Sequence, residues 1–153
     1  MHRRSRRFLI GGMLAILGLT AGCSSAVKVV PFEGADANTA CQEVAELWPT
    51  TVADQPIRVT AVDSDTVAAW GDPPIIARCG APIIGPTQDQ CLDVANIDWV
   101  AVPLDDGVRF TTFGRDPAIE VLVSSAYATE ALVMPAFAQA AGSIPQTLGE
   151  CSS

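Results

Sequence analysis

The sequence predicts an α+β fold, with an antiparallel sheet of about five strands, two helices packed on one face and two disulfides. Several short segments alternate apolar and polar residues, which is typical of half-buried strands. Segments with helical spacing of apolar residues lie before and after these strands. The regular alternation of strands and helices that a parallel sheet requires is missing. Together these observations favour an antiparallel sheet.

The first predicted helix covers residues 38–48. Asn38 is a suitable N-cap, because its side-chain oxygen can accept a hydrogen bond from a free backbone N–H group of the first turn. Cys41 and Trp48 lie on the same face of this helix, and Pro49 is expected to end it.

The middle of the chain is predicted to form the sheet, with a helical turn at residues 66–70 and a loop at residues 80–90. Asp105, Asp106 and Gly107 form a hairpin signal that joins two of the strands. The predicted strands are residues 57–62, 75–79, 98–103, 109–113 and 118–123.

The last predicted element is an Ala-rich helix over residues 127–141. Pro135 must kink or divide it, because proline lacks a backbone N–H group and its ring collides with the preceding turn. No internal repeat is visible, so the elements form one module rather than an array.

Composition and charge limit the function. The chain has 153 residues, of which 49% are hydrophobic and 17% charged, so it folds as one domain. Residues 23–153 carry 5 basic and 17 acidic side chains, a net charge of -12 that argues against binding nucleic acid. The single histidine, His2, precedes this part, which excludes histidine-dependent catalysis and zinc binding through imidazole.

Residues 1–22 are predicted to be a lipoprotein signal peptide, because a basic start precedes an apolar run of about 15 residues, too short to span a bilayer. The sequence Leu19-Thr20-Ala21-Gly22-Cys23 resembles the lipobox of bacterial prolipoproteins, although Thr20 stands where Leu is commoner. The resemblance implies cleavage after Gly22 and a diacylglycerol thioether, with acyl chains such as palmitate, on Cys23. An ordinary secreted protein and an uncleaved membrane helix are the alternatives.

Lipid rather than charge is expected to hold the protein, since an anionic leaflet repels a domain of charge -12. Residues 23–37 are then a lipidated tether of at most about 45 Å, and residues 38–153 form a single envelope domain. Arg6 and Arg7 also resemble a loose twin-arginine motif, so export by the general-secretion route and export by the twin-arginine route both remain open.

The other four cysteines, an even number in an exported chain, predict two disulfides. Zinc binding is disfavoured because no two are separated by only two residues. Three pairings are possible, and the residues alone do not choose between them. The four are Cys41, Cys79, Cys91 and Cys151.

Few residues point to chemistry. The acidic pairs at 63/65 and 105/106 lack the pattern of a calcium loop and are typical of solvated turns. Trp48, Trp70 and Trp99 could stack on a glycan, but core packing is the more usual role of tryptophan in a small domain. Arg78 and Arg115 could bind a ligand or form structural ion pairs.

Several motifs resemble an actinobacterial family of exported proteins known as domain of unknown function 3515. They are Trp70-Gly71-Asp72-Pro73, Arg78-Cys79-Gly80, Asp98-Trp99 and Thr111-Thr112-Phe113-Gly114-Arg115, and the likeness covers residues 38–141. The resemblance implies a Cys41–Cys79 bridge, which leaves Cys91 and Cys151 for the second. It also implies a place in the cell envelope, and no activity.

We therefore expect a non-enzymatic, lipid-anchored protein on the outer face of the cytoplasmic membrane, which binds an envelope protein or wall component. No cofactor or metal is expected. The alternative is an envelope hydrolase that works through carboxylates, which a concave pocket with two facing acids would favour. A purely structural accessory is a third possibility.

The anchor is tested by Cys23→Ala, which removes the sulfur that would carry the lipid. We expect loss of lipid labelling and of membrane retention, measured by fatty-acid labelling and fractionation. An uncleaved variant that stays in the membrane fraction would contradict the assignment.

Overall fold

A computed structural model describes residues 25–127 and 129–151. Over these residues the chain forms two α-helices, two 3-10 helices (Ala35–Ala37 and Glu130–Phe137) and eight strands. The α-helices are α1 (Thr39–Ala45) and α2 (Ala138–Gly142). The strands are β1 (Thr51–Val52), β2 (Gln55–Arg58), β3 (Val67–Trp70), β4 (Ile75–Ala81), β5 (Gln90–Val94), β6 (Ile97–Leu104), β7 (Gly107–Thr112) and β8 (Ala118–Ser124).

The strands form one antiparallel sheet in the order β1-β2-β3-β4-β8-β7-β6-β5. The predicted α+β class is confirmed, but the number of strands was wrong, since the described residues contribute eight rather than about five. The hairpin at Asp105 and Asp106 is confirmed, because Leu104 pairs with Gly107. None of the helices in the described ranges is long and apolar enough to cross a membrane.

The segment at 66–70 was wrongly predicted to be a helical turn. It contains β3, whose four side chains are all buried and which pairs with β2 and β4. A short apolar run that is buried on both faces shows no alternation, so its pattern does not distinguish a strand from a helix. Pairing with two neighbouring strands decides the conformation.

Two hairpins escaped prediction because their turns lack the usual Asn-Gly signal. Ala53 and Asp54 join β1 to β2, and Ala95 and Asn96 join β5 to β6. All four residues have positive φ, as a two-residue hairpin turn with positive φ at both positions requires. The strand predicted over 57–62 is therefore shifted, since β2 ends at Arg58.

The predicted N-cap of α1 is confirmed. The Asn38 side-chain oxygen accepts hydrogen bonds from the backbone N–H groups of Ala40 (2.9 Å) and Cys41 (3.3 Å). The helix ends before Trp48, because the N–H of Leu47 bonds to the carbonyl oxygen of Val44 and tightens the last turn.

One face of the sheet carries the helices and the core. Large side chains that are fully buried here include Trp70, Trp99, Phe110, Met134 and Phe137. The rings of Trp70 and Phe137 meet edge to face at 5.4 Å. The predicted C-terminal helix is divided into the 3-10 helix Glu130–Phe137, which contains Pro135, and α2, which begins three residues after the proline.

The opposite face of the sheet is crossed by the described part of the predicted tether, residues 25–37. The N–H of Val27 donates to the carbonyl oxygen of Val59 (2.9 Å), and the N–H of Ala61 donates to that of Val27 (2.8 Å). Val27 is buried, and the Phe32 ring covers Arg78 on β4. This segment is packed on the domain from Ser25 onwards. Residues 1–22 and Cys23 lie outside the described residues.

Both disulfides join segments that are distant in sequence. Cys41 of α1 pairs with Cys79 of β4, with Cα atoms 5.4 Å apart. Cys91 of β5 pairs with Cys151 near the C-terminus, with Cα atoms 5.7 Å apart. The pairing implied by the resemblance is confirmed.

Removing each bridge should have a different effect. Loss of Cys91–Cys151, by serine at both positions, should lower the free energy of unfolding by about 4 kcal/mol through loop entropy. Loss of Cys41–Cys79, by alanine at both positions, should cost more, since both residues are fully buried and their removal leaves a cavity. Urea unfolding measures both; a smaller loss for the second pair would contradict the core assignment.

Candidate functional site

A large open groove of about 1230 Å³ lies between α1 and the chain that follows β2; we call it the α1 groove. Gln42 and Ala45 of α1 and Glu46, the C-cap of this helix, line one wall, and Trp48 follows them. The other wall is formed by residues 57–68, and Asp36 also contributes to the lining.

Hydrogen bonds between the two walls hold the groove open in a defined shape. The indole N–H of Trp48 donates to the carbonyl oxygen of Asp65 (3.0 Å). One carboxylate oxygen of Asp36 accepts hydrogen bonds from the hydroxyls of Ser64 and Thr66, the latter at 3.0 Å. Because both walls are fastened, a ligand would not have to order them, which lowers the entropic cost of binding.

The lining is acidic with apolar patches. Asp36, Glu46, Asp63 and Asp65 contribute four carboxylates against one guanidinium, that of Arg58. Arg58 donates to the carbonyl oxygens of Gly71 (2.7 Å) and Ser25 (2.8 Å), so much of its hydrogen-bonding capacity is used within the domain. A surface of this kind favours cationic groups.

Apolar contact in the groove comes from Trp48 and Ile57. Trp48 is half-buried and packs edge to face on Trp70 at 6.4 Å. Ile57 has an exposed fraction of 52%, high for an isoleucine. The lining therefore combines negative charge with surface that would gain by leaving water.

The tryptophans singled out from the family-like motifs do not reach the groove. Trp70 is fully buried, and its indole N–H donates to the carbonyl oxygen of Pro49 (2.8 Å). Trp99 is also fully buried, in the core beside the helices. Neither indole face can stack on a ligand here, which leaves them the structural role. Trp48, the third tryptophan, is the one in the groove.

Arg78 lies on the face of the sheet opposite the helices, next to Glu120 across the β4–β8 pair. Its Nε donates to Glu120 at 3.0 Å, and its Nη2 donates to the same oxygen. Its Nη1 donates to the carbonyl oxygen of Val30 (2.9 Å), and its guanidinium stacks on Phe32 at 4.2 Å. Arg78 thus fastens the N-terminal segment to the sheet.

Arg115 does the same for the C-terminal segment. It is 7% exposed; its Nη1 donates to the carbonyl oxygen of Ile144 and its Nη2 to the side-chain oxygen of Gln146 (3.3 Å), while its buried Nε has no hydrogen-bond partner among the described residues. Asp98 accepts from Gln146 and from the N–H of Cys151, both at 2.8 Å. Burial lowers the pKa of Arg115 below its usual value, and the negative charge of Asp98 opposes this shift.

A second, smaller cavity of about 470 Å³ adjoins this network. Asp93, Asp98 and Glu150 line it together with the Cys91–Cys151 bridge. Within the ranges 25–127 and 129–151, no three histidine, cysteine, aspartate or glutamate side chains group as a metal site would require. Gln146, which bonds to Arg115 and Asp98, also lines the cavity, so the cavity belongs to the contacts that hold the C-terminal segment.

Sequence reasoning missed the groove. Part of its second wall, residues 57–62, was predicted to be a regular strand. Asp63 and Asp65 were the one local signal, and they were interpreted as a turn. The groove exists because the chain leaves the sheet after β2 and is fastened to residues near α1, which are long-range contacts.

The model of a family described as "Protein of unknown function (DUF3515)" matches residues 8–148, so the chain belongs to this family. No curated protein and no solved structure matches the chain. Membership supports the resemblance noted from the motifs and brings no activity with it.

The structural role of Arg115 predicts that Arg115→Gln lowers the free energy of unfolding by about 2–3 kcal/mol, because the buried carbonyl of Ile144 loses a charged donor. Arg109→Gln is the control, since the side chain of Arg109 on β7 is partly exposed and makes no hydrogen bond or ion pair with the described residues. It should cost under about 0.5 kcal/mol in urea unfolding. Equal losses would contradict the role given to Arg115.

Proposed function

We propose that this member of the DUF3515 family is a lipid-anchored protein of the actinobacterial cell envelope that binds a partner through the α1 groove. It acts on the outer face of the cytoplasmic membrane as a binding module and not as an enzyme. The groove carries the proposal, since it is concave, held open from both sides and lined by acidic and apolar groups.

The anchor rests on the lipobox-like residues 19–23, which lie outside the described residues. Two features of the domain support it. All four cysteines of the domain are paired, as suits an oxidising compartment. The charge of -12 on residues 23–153 would repel an anionic membrane, so the protein needs acyl chains to stay there.

The partner is an envelope protein with a segment that presents basic side chains beside apolar ones. Four carboxylates attract the basic groups, and their effect is strongest where low-dielectric walls surround them. Trp48 and Ile57 supply apolar contact, which gives affinity that does not vanish in salt. Capture of a cationic wall component in place of a protein would be a different outcome of the crosslinking test described below.

A carboxylate hydrolase is the second candidate, favoured by the acidic side chains in a concave groove. Release of soluble fragments from cell-wall glycan by the purified protein, lost in Asp63→Asn and Asp65→Asn, would select this candidate over the binding module. If the protein is a binding module, the unmodified protein should release no soluble fragments from cell-wall glycan.

Charge reversal on α1 tests the groove. Glu46→Lys places a positive charge in the lining and should abolish capture of the partner, whereas Glu43→Lys makes the same change on an exposed position of α1 outside the lining. Crosslinking in the native envelope, followed by mass spectrometry, measures capture for both variants and the unmodified protein.

The expected result is one reproducible protein captured by the unmodified protein and by Glu43→Lys, but not by Glu46→Lys. Equal capture by the two variants would remove the groove from the interface. Failure of the unmodified protein to capture any partner would contradict the binding role.

A further inference from the structure

Three exposed side chains lie on the segment that follows the proposed anchor in sequence and on the segment that pairs with it through Val27. Val59, which also lines the α1 groove, has an exposed fraction of 78%, Val30 has one of 71%, and Lys28 is also exposed, so the groove opens beside these side chains. Burying a valine side chain of this kind would contribute about 1.5–3 kcal/mol of hydrophobic free energy, which these largely exposed valines do not gain in the free domain. These three residues form what we call the anchor-side patch.

The position of this patch relative to Cys23 is limited by covalent geometry. Ser25 is already packed on the domain, since its carbonyl oxygen accepts a hydrogen bond from Arg58 (2.8 Å). Two residues of chain span at most about 7 Å, and the four from Cys23 to Val27 at most about 14 Å. The N–H of Val27 lies 2.9 Å from the carbonyl oxygen of Val59. Val59 therefore cannot be far from a lipid carried by Cys23.

We infer that the anchor-side patch rests on the lipid surface, with Val59 and Val30 at the acyl-headgroup boundary and Lys28 among the headgroups. The inference rests on the proposed function, because it needs a lipid on Cys23. A domain joined by so short a link cannot stand away from the bilayer, so the surface next to the link is the one that meets it.

The chemistry of the patch suits this position. Valine side chains gain by entering the interface, and a single lysine beside them adds about 1 kcal/mol of attraction to anionic headgroups. Lys28 is one of only 5 basic side chains in residues 23–153. The acyl anchor supplies most of the binding, and the patch sets the orientation of the domain.

Orientation is measured by lipid crosslinking. The full chain is produced with the photoreactive residue benzoylphenylalanine in place of Val59 or, as a control, of Leu148, and is reconstituted in phosphatidylethanolamine–phosphatidylglycerol vesicles. Leu148 is 54% exposed and bonds to Gly114, beyond β7. In the sheet, β7 is separated from β2 by four strand spacings, roughly 19 Å, so Leu148 lies far from Val59.

We expect a lipid adduct at position 59 and none at position 148, with both proteins floating with the vesicles and melting like the unmodified protein. A label at Val30 should also give an adduct. Flotation with no adduct at 59, or with equal adducts at 59 and 148, overturns the orientation and leaves the anchor intact. Failure to float, together with no acyl mass on Cys23, overturns the proposed function itself.

Discussion

The bridge between Cys41 and Cys79 is the constraint on which the α1 groove depends. An isolated helix of seven residues is unstable in water, because nucleation costs more than so few hydrogen bonds return. Here α1 is held by its Asn38 cap, by burial of Val44 and by a covalent link to β4 in the core. One wall of the groove is therefore tied covalently to the sheet.

The second wall is held by contacts with the first. Residues 59–66 belong to no strand. Trp48 and Asp36 form hydrogen bonds with them from the α1 side, and the backbone of Val27 forms further hydrogen bonds with them from the N-terminal segment. A segment of this kind would be mobile if it were fastened at its ends alone. The same bond from Val27 links the groove to the N-terminal segment, so the orientation of the domain on a membrane would also orient the groove.

The distribution of basic side chains bears on both the partner proposed for the α1 groove and the proposed orientation on the membrane. Residues 23–153 contain 5 basic residues. Three of them, Arg58, Arg78 and Arg115, donate hydrogen bonds to backbone or side-chain groups of the domain. Arg78 and Arg115 also fasten the described N-terminal and C-terminal segments to the sheet. The acidic side chains of residues 23–153 outnumber the basic ones 17 to 5, which would favour basic partners and would make adhesion to an anionic membrane depend on a lipid anchor.

Local chemistry determined what could be predicted from the sequence. The cap at Asn38, the hairpin at 105–107 and the division of the last helix, whose 3-10 part contains Pro135, each depend on a few neighbouring residues, and the number of disulfides follows from a count. Their pairing came from the family resemblance. The strand β3, the hairpins at 53–54 and 95–96, the packing of residues 25–37 and the α1 groove were decided by tertiary structure alone. In each case a residue's conformation is set by a partner far along the chain, and no periodicity in the sequence records which partner that is.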